Sequence, residues 1–301
     1  MTVRPIRTPL TTLLGIAHPV VQTGMGYVAG AGLTAATSAA GGLGIIASAT
    51  MSLEQLRAAV REVRRRTDAP FGVNLRADAA DAADRVGLII AERVPVASFA
   101  LAPTRDLIRR LSDAGVVTMP SVGARRHAEK VAGWGADAVI VQGGEGGGHT
   151  GPVPTSLLLP QVVDAVDIPV VAAGGFFDGR GLVAALAYGA AGVAMGTRFL
   201  LTSDSPVGDE VKQLYLARSL TDTVVTTRVD GVPHRVLRTP FVDRLERSGR
   251  VTGLARALRN AVALRRLTGA SWPAMLREAR TVRHGRQLSW AQLLMAANTP
   301  M

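Results

Sequence analysis

Short runs of apolar and β-branched residues recur along the first 200 residues of the chain, and each predicts a buried β-strand. Eight such runs lie at residues 20–23, 44–47, 71–75, 96–100, 116–120, 138–142, 169–173 and 192–196. Between the runs, apolar residues recur at helical spacing. This spacing predicts helices at residues 53–66, 80–92, 105–114, 124–134, 156–166 and 181–188.

The predicted strands are apolar along nearly their whole length, as expected for a parallel sheet that is covered by helices on both faces. An open doubly wound sheet and a closed barrel both fit this pattern. Eight strand–helix units within about 200 residues, with glycine-rich loops after several strands, favour the barrel. We therefore predict an α/β fold, a (β/α)8 TIM barrel, over residues 1–200.

The pattern changes after Arg198. A helix is predicted at residues 207–219, extended segments follow at 223–229 and 232–238, and Arg-rich helical sequence runs to the end. We expect residues 201–301 to form a helical and extended C-terminal extension, an Arg-rich, mostly helical cap that packs near the barrel mouth.

The net charge of +11 comes mainly from this extension, because residues 228–301 hold 14 Arg and 4 Asp or Glu. A basic segment of this kind can bind nucleic acid, can bind the phosphates of a small anionic ligand, or can simply be solvated. Its aromatic residues are only Phe241, Trp272 and Trp290. Because base stacking needs aromatic platforms, we expect no nucleic-acid partner.

Composition excludes several kinds of chemistry. The chain has no cysteine, which removes disulfides, thiolate nucleophiles, iron–sulfur clusters and Cys-based zinc sites. The histidines lack metal-ligand spacing, so we expect no metal. Apolar runs stop well short of the ~20 residues of a membrane span, and residues 1–14 lack the apolar core of a secretory leader. We therefore expect a cytoplasmic protein without a membrane partner.

The seventh and eighth predicted strands end in loops suited to an anion. They run into Ala172-Ala173-Gly174-Gly175 and Met195-Gly196-Thr197-Arg198. TIM barrels commonly hold phosphate at these two loops, where glycines let backbone N–H groups approach it. A helix starting near Gly179 would add its positive end. A single Gly-Gly pair would indicate only a tight turn, but two such loops favour a phosphate-bearing ligand.

The sixth strand leads into Gln142-Gly143-Gly144-Glu145-Gly146-Gly147-Gly148-His149. The glycines remove side-chain bulk where a flat ring could lie, and the Gln142 amide offers both a donor and an acceptor. His149 follows on a loop, where an imidazole is suited to proton transfer. The alternative is an exposed histidine without a role. Glu145 is either a second acid/base or, as we favour, a solvated carboxylate.

Two earlier strands add candidates at the mouth. The first ends in Thr23-Gly24-Met25, and the third ends in Asn74. An amide at a strand end can bond the edge of a heterocycle, so Asn74 is the stronger candidate. Met25 is equally well explained as core packing, and a role for Tyr27 in shaping the pocket is less favoured.

Six stretches of the sequence are informative together: PVVQTGM, AGGLGI, FGVN, GADAVIVQGGEGGGHTG, IPVVAAGG and MGTRF. Jointly they resemble the nitronate monooxygenase (2-nitropropane dioxygenase-like) family of FMN barrels, which includes the flavin-dependent enoyl-ACP reductases. The resemblance covers about residues 8–200 and implies an FMN cofactor. It would place the FMN phosphate on Gly174, Gly175, Gly196 and Thr197. The flavin ring would be bounded by Thr23, Gly24, Met25, Asn74, Gln142, Gly147 and Gly148, with Met195 also at the cofactor. His149 matches the family's catalytic histidine.

A second set of stretches includes NLRADAADAADRV, GGFFDGRGL, TTRVDG and LLMAANTPM. These stretches resemble an actinobacterial subgroup, the IpdC-type oxidoreductases of steroid C/D-ring degradation. That likeness implies a reductase or dehydrogenase of a bulky ring-containing enoyl- or enone-CoA thioester in steroid (cholesterol) catabolism. The tail arginines would then bind CoA phosphates.

Two alternative functions stay open: a nitronate monooxygenase that oxidises alkyl nitronates with O2, and a non-catalytic flavin- or nucleic-acid-binding protein. NADH, NADPH and O2 are alternative redox partners, because the chain has no separate GxGxxG fingerprint after a strand. A homo-oligomer is compatible with the sequence.

Overall fold

The computed structural model describes residues 6–101, 103–228 and 231–247. Eight parallel strands close into a barrel, which confirms the predicted architecture. In barrel order they are β1 (Val20–Gln22), β2 (Leu43–Ala47), β3 (Phe71–Arg76), β4 (Val96–Ala100), β5 (Val117–Val122), β6 (Val139–Gln142), β8 (Val170–Ala173) and β9 (Gly192–Met195). A two-residue strand, β7 (Gly148–His149), lies in the loop after β6. The barrel closes where β1 pairs with β9, with Val20 opposite Val193.

One helix precedes β1, and the other helices of this unit follow strands. They are α1 (Pro9–Leu14), α2 (Ala31–Ala39), α3 (Leu53–Arg66), α4 (Ala82–Ala91), α5 (Arg105–Asp113), α6 (Arg125–Ala132), α7 (Thr155–Val163), α8 (Gly179–Ala187), α9 (Thr197–Leu200) and α10 (Asp209–Leu216). Helix α3 lies exactly where the sequence predicts it, because Ser52 and Gln55 form a capping box before an amphipathic run. Helices α1 and α2 were not predicted. Helix α2 is rich in Ala and Thr and lacks a large apolar stripe.

Both faces of the strands are buried, as the apolar runs predicted. In β2, Ile46 packs with Leu56 and Val60 of α3, on the helix side. Its neighbour Ile45 packs with Leu10 of α1 and Met119 of β5. Successive side chains of a strand point to opposite faces, so one strand serves both the barrel interior and the helix layer.

The chain divides into two compact units, Met1–Ala217 and Arg218–Met301. The division falls after the predicted boundary at residue 200, because α9 and α10 belong to the first unit. The second unit contains an antiparallel pair, β10 (Thr223–Thr226) and β11 (His234–Leu237), followed by α11 (Pro240–Arg247). The remainder of the predicted Arg-rich cap, residues 248–301, lies outside the described residues, and its packing at the mouth stays a prediction. Within the described segments, every helix falls short of the length and apolarity that crossing a membrane requires.

Candidate active site

The loops after β8 and β9 adopt backbone conformations that explain their glycines. Gly174 and Gly175 have φ of 100° and 82°, in the left-handed region that other residues rarely adopt. After β9, Gly196 is the N-cap of α9, and Thr197 is the first residue of that helix. A first helical residue has a backbone N–H without an acceptor in its own helix. Both loops can therefore direct N–H groups at an anion.

The start of α8 does not contribute in the way its sequence suggests. The Asp178 side chain accepts hydrogen bonds from the backbone N–H of Arg180 at 3.0 Å and of Gly181 at 3.3 Å. The Arg180 guanidinium also bonds this carboxylate and holds the pKa of Asp178 below its ordinary value. The expected positive helix end near Gly179 is thus occupied by the helix's own capping residue.

Residues far apart in the sequence meet between β1 and β9. The Thr23 backbone N–H donates to the Met195 carbonyl at 3.1 Å. A Cβ built on Gly196 would lie 3.4 Å from Thr23 Oγ1 and 3.5 Å from Met25 Sδ. Met195 itself directs its side chain into the core, where it is 7% exposed. A cofactor contact by Met195 would therefore be made by its backbone.

A second convergence joins the first and third strand ends. A Cβ on Gly24 would lie 2.5 Å from Asn74 Cβ, so only glycine permits this approach. The Asn74 amide nitrogen donates to Ser98 Oγ at 2.9 Å, and the Ser48 hydroxyl donates to the Asn74 carbonyl at 2.7 Å. The side-chain oxygen of Asn74 remains as its acceptor for a ligand.

Ser48 and Ser98 were not predicted as site residues from the sequence. Both are almost completely buried and bond Asn74. A lone serine within the apolar strand Val96–Ala100 was the available signal, since buried hydroxyl groups need partners.

The glycine-rich loop after β6 folds back on its own strand end. Gln142 Nε2 donates to the His149 carbonyl at 2.7 Å. A Cβ on Gly146 would lie 2.5 Å from the same nitrogen, which explains the glycine there. Gly148 has φ of 76°, and the following His149 is exposed at the edge of the loop. A Cβ on Gly147 would lie 3.6 Å from Thr197 Oγ1, so this loop also reaches the end of β9.

Glu145 is exposed, as we favoured from the sequence, but its carboxylate also has protein hydrogen-bond partners. Its Oε2 accepts hydrogen bonds from the backbone N–H and the hydroxyl of Thr155, at 2.9 and 2.7 Å. Thr155 was also missed, because nothing near it in the sequence indicates a partner ten residues earlier.

The residues present fit a flat, phosphate-bearing cofactor such as a flavin. Several positions form a cradle that side chains would fill, namely Gly24, Gly146, Gly147, Gly174, Gly175 and Gly196. The two loops at β8 and β9 offer N–H groups and a hydroxyl for phosphate, while Asn74 and Gln142 supply amides. Among the described residues, no cluster of three or more His, Asp or Glu is placed to hold a metal ion.

Comparison with known proteins identifies a matching family and several similar proteins. The model of the nitronate monooxygenase family matches residues 7–87 and 79–289. The (3aS,4S,5R,7aS)-5-hydroxy-7a-methyl-1-oxo-octahydro-1H-indene-4-carboxyl-CoA dehydrogenase of Mycobacterium tuberculosis is 68% identical over 299 residues, which cover 98% of this chain and 84% of that protein. The dehydrogenase of the same name from Rhodococcus jostii is 62% identical over 296 residues, with the same coverage. Among solved structures, FabK from Thermotoga maritima has a TM-score of 0.77 and 46% identity, and the match covers 79% of this chain and 77% of that one.

Proposed function

This chain belongs to the nitronate monooxygenase family of flavin-dependent oxidoreductases, and we propose that it is an FMN-dependent dehydrogenase or reductase of a bulky, ring-containing CoA thioester. The observation that carries the proposal is the identity of 68% and 62% to two dehydrogenases of such a thioester, each over 98% of this chain. Their substrate is named as a fused bicyclic ring with a methyl and an oxo group, joined to CoA. A methylated bicycle of this kind corresponds to the C and D rings of a steroid, so we assign the reaction to steroid ring degradation.

Residues at the strand ends would bind different parts of FMN. Gly174, Gly175, Gly196 and Thr197 would bind the FMN phosphate through N–H groups and a hydroxyl. Thr23, Gly24, Met25, Gly147, Gly148 and the Met195 backbone would border the ring. Asn74 would bond the ring edge through its amide oxygen, and Gln142 would hold the His149 backbone in place.

The chemistry then needs one proton-transfer group. Dehydrogenation removes a hydride and a proton from two adjacent substrate atoms, and a double bond forms between them. When bound, FMN supplies the hydride acceptor. His149 would accept the proton, and would return it if the reaction runs as a reduction. We include NADH or NADPH as the partner that exchanges electrons with the flavin.

Anaerobic stopped-flow absorbance at the flavin band tests this function. The purified full chain is mixed with the bicyclic hydroxyacyl-CoA, with its unsaturated counterpart, or with an alkyl nitronate, each with and without NAD(P)H. We expect rapid flavin reduction by the saturated thioester, or reoxidation of NAD(P)H-reduced flavin by the unsaturated one. A protein that responds only to the nitronate is instead a nitronate monooxygenase, the activity for which its family is named.

A further inference from the structure

We propose that Glu145 and Thr155 are positioning residues that lock the loop carrying His149 onto the phosphate-binding loop after β8. We call this pair the Glu145–Thr155 clasp. The inference rests on the proposed function for the roles of the two loops. It concerns FMN binding and loop geometry, and not which substrate is oxidised.

Thr155 links three segments of the barrel mouth. Glu145 Oε2 accepts from the Thr155 backbone N–H at 2.9 Å and from its hydroxyl at 2.7 Å. The hydroxyl also lies 3.2 Å from the Gly174 carbonyl oxygen, so it can donate to either oxygen. Thr155 is the first residue of α7, where a negative charge is favourable, and it is 5% exposed. The clasp therefore ties the loop after β6 to the start of α7 and to the loop after β8.

The three segments are packed without room for an added side-chain atom. The Gly143 N–H donates to the Ala173 carbonyl at 3.0 Å. A Cβ on Gly174 would lie 3.0 Å from the Gly146 nitrogen and 3.2 Å from Thr155 Oγ1, and one on Gly143 would overlap the Thr155 hydroxyl. At this density, a displacement of one segment is passed to the others. A change at Thr155 should therefore reach the glycines that bind the phosphate.

The barrel contains the same arrangement at its opposite end. Asp137 Oδ2 accepts from the Thr118 backbone N–H at 2.8 Å and from the Thr118 hydroxyl at 3.0 Å. Thr118 is the second residue of β5 and is fully buried, and Asp137 lies just before β6. This pair is at the N-terminal ends of the strands, which in TIM barrels serve stability and not the active site. It is thus a matched control with the same chemistry in a different place.

The first test compares Thr155→Val, Thr155→Ser and Thr118→Val in the full chain. FMN affinity is measured by titrating the apoprotein, and stability by urea unfolding of the same apoprotein. We expect Thr155→Val to weaken FMN binding about tenfold, which corresponds to one lost charge-assisted hydrogen bond. Thr155→Ser should restore most of the affinity. Thr118→Val should destabilise the fold while leaving FMN affinity within about twofold of wild type. Equal FMN affinities for Thr155→Val and Thr118→Val would overturn the proposal.

The second test separates positioning from catalysis at Glu145, which is exposed and so tolerates substitution without loss of the fold. Glu145→Gln keeps an acceptor oxygen, whereas Glu145→Ala removes it. If Glu145 positions the loop, FMN affinity falls more in the alanine variant, and the pH profile of kcat keeps its shape in the glutamine variant. A kcat loss of about a hundredfold in Glu145→Gln with unchanged FMN affinity would make Glu145 a catalytic acid/base and defeat the clasp. If wild type oxidises no CoA thioester, only the proposed function fails, because FMN affinity still decides the clasp.

Discussion

At the scale of one residue, Gly174 has a backbone conformation and surroundings that favour glycine over any other residue. Its φ of 100° lies in the left-handed region, and the space where a Cβ would stand is bordered by Gly146, Gly143 and Thr155. A side chain at Gly174 would therefore meet both conformational strain and a collision. Gly115 has a similar φ of 73° but open space around it, so strain acts there alone.

We predict that Gly174→Ala costs more than Gly115→Ala. The control should lose about 1 kcal/mol of unfolding free energy from strain alone. Gly174→Ala should lose more than this and also weaken FMN binding, since the phosphate loop must shift. Urea unfolding and FMN titration measure both effects. Equal losses in the two variants would show that crowding at residue 174 is relieved without cost.

His149 is the residue on which the proposed proton transfer depends. We predict that His149→Ala lowers kcat by about 10² to 10⁴, the usual contribution of general acid–base catalysis, while FMN remains bound. His127, on α6, provides a matched imidazole away from the strand ends, and His127→Ala should leave kcat unchanged. Steady-state kinetics at saturating substrate distinguish the two. A His149→Ala enzyme with wild-type kcat would remove this residue from the mechanism.

At the scale of elements, helix α4 anchors the segment that follows β2 through one side chain. Arg85 is 6% exposed and donates to the carbonyl oxygens of Ser48 at 2.7 Å and Met51 at 2.8 Å. Asp81 holds the same guanidinium through two hydrogen bonds. Ser48 in turn bonds the Asn74 carbonyl. The position of Asn74 therefore depends on a helix that never enters the site.

The Asp81–Arg85 pair gives a stability prediction with a defined pH dependence. Hydrogen bonding to Arg85 is the main reason that the pKa of Asp81 lies below its ordinary value. A lowered carboxyl pKa stabilises the fold above the ordinary pKa, and this contribution is lost as pH falls through the lowered value. Because the Asp81 side chain is 38% exposed and solvent screens the pair, Asp81→Asn should cost up to about 1 kcal/mol at pH 7, and the difference from wild type should shrink below about pH 4.

The control for this pair is the exposed Arg109–Asp113 pair, whose side chains are 72% and 73% exposed. Asp113→Asn should change the unfolding free energy by less than about 0.5 kcal/mol, because solvent screens exposed ion pairs. Urea unfolding at pH 7 and at pH 3 measures both variants. A pH-independent loss in Asp81→Asn would mean that packing, and not charge, accounts for its effect.

At the scale of the whole molecule, the net charge of +11 bears on the encounter with substrate. A CoA thioester carries several phosphate charges, and a positively charged protein accelerates encounter with an anion at low ionic strength. The matched control substrate is the same acyl group on pantetheine, which lacks the nucleotide phosphates of CoA. The two substrates present identical reacting atoms to the site.

We predict that kcat/KM for the CoA thioester falls several-fold as salt rises from about 0.05 to 0.5 M, because the Debye length shortens. For the pantetheine thioester, kcat/KM should change little. Steady-state kinetics over a salt series gives both slopes. Parallel slopes would show that the basic charge takes no part in capturing the nucleotide portion.

The sequence by itself determined the eight strands, the strand–helix alternation and the glycine-rich strand ends. Helix α3 and strand β4 lie exactly where their patterns predict them. These features are local, because side-chain periodicity sets which faces are buried and glycine sets which backbone conformations are open.

Only the tertiary structure decided which groups meet at the strand ends. The approach of Gly24 to Asn74, the Ser98 bond to Asn74 and the Glu145–Thr155 clasp each join residues from different strands or loops. Asp178 likewise accepts from the N–H groups at the helix start that the sequence predicted would face an anion. The physical reason is that a hydrogen bond depends on where the closed barrel brings its two partners, which no local pattern encodes.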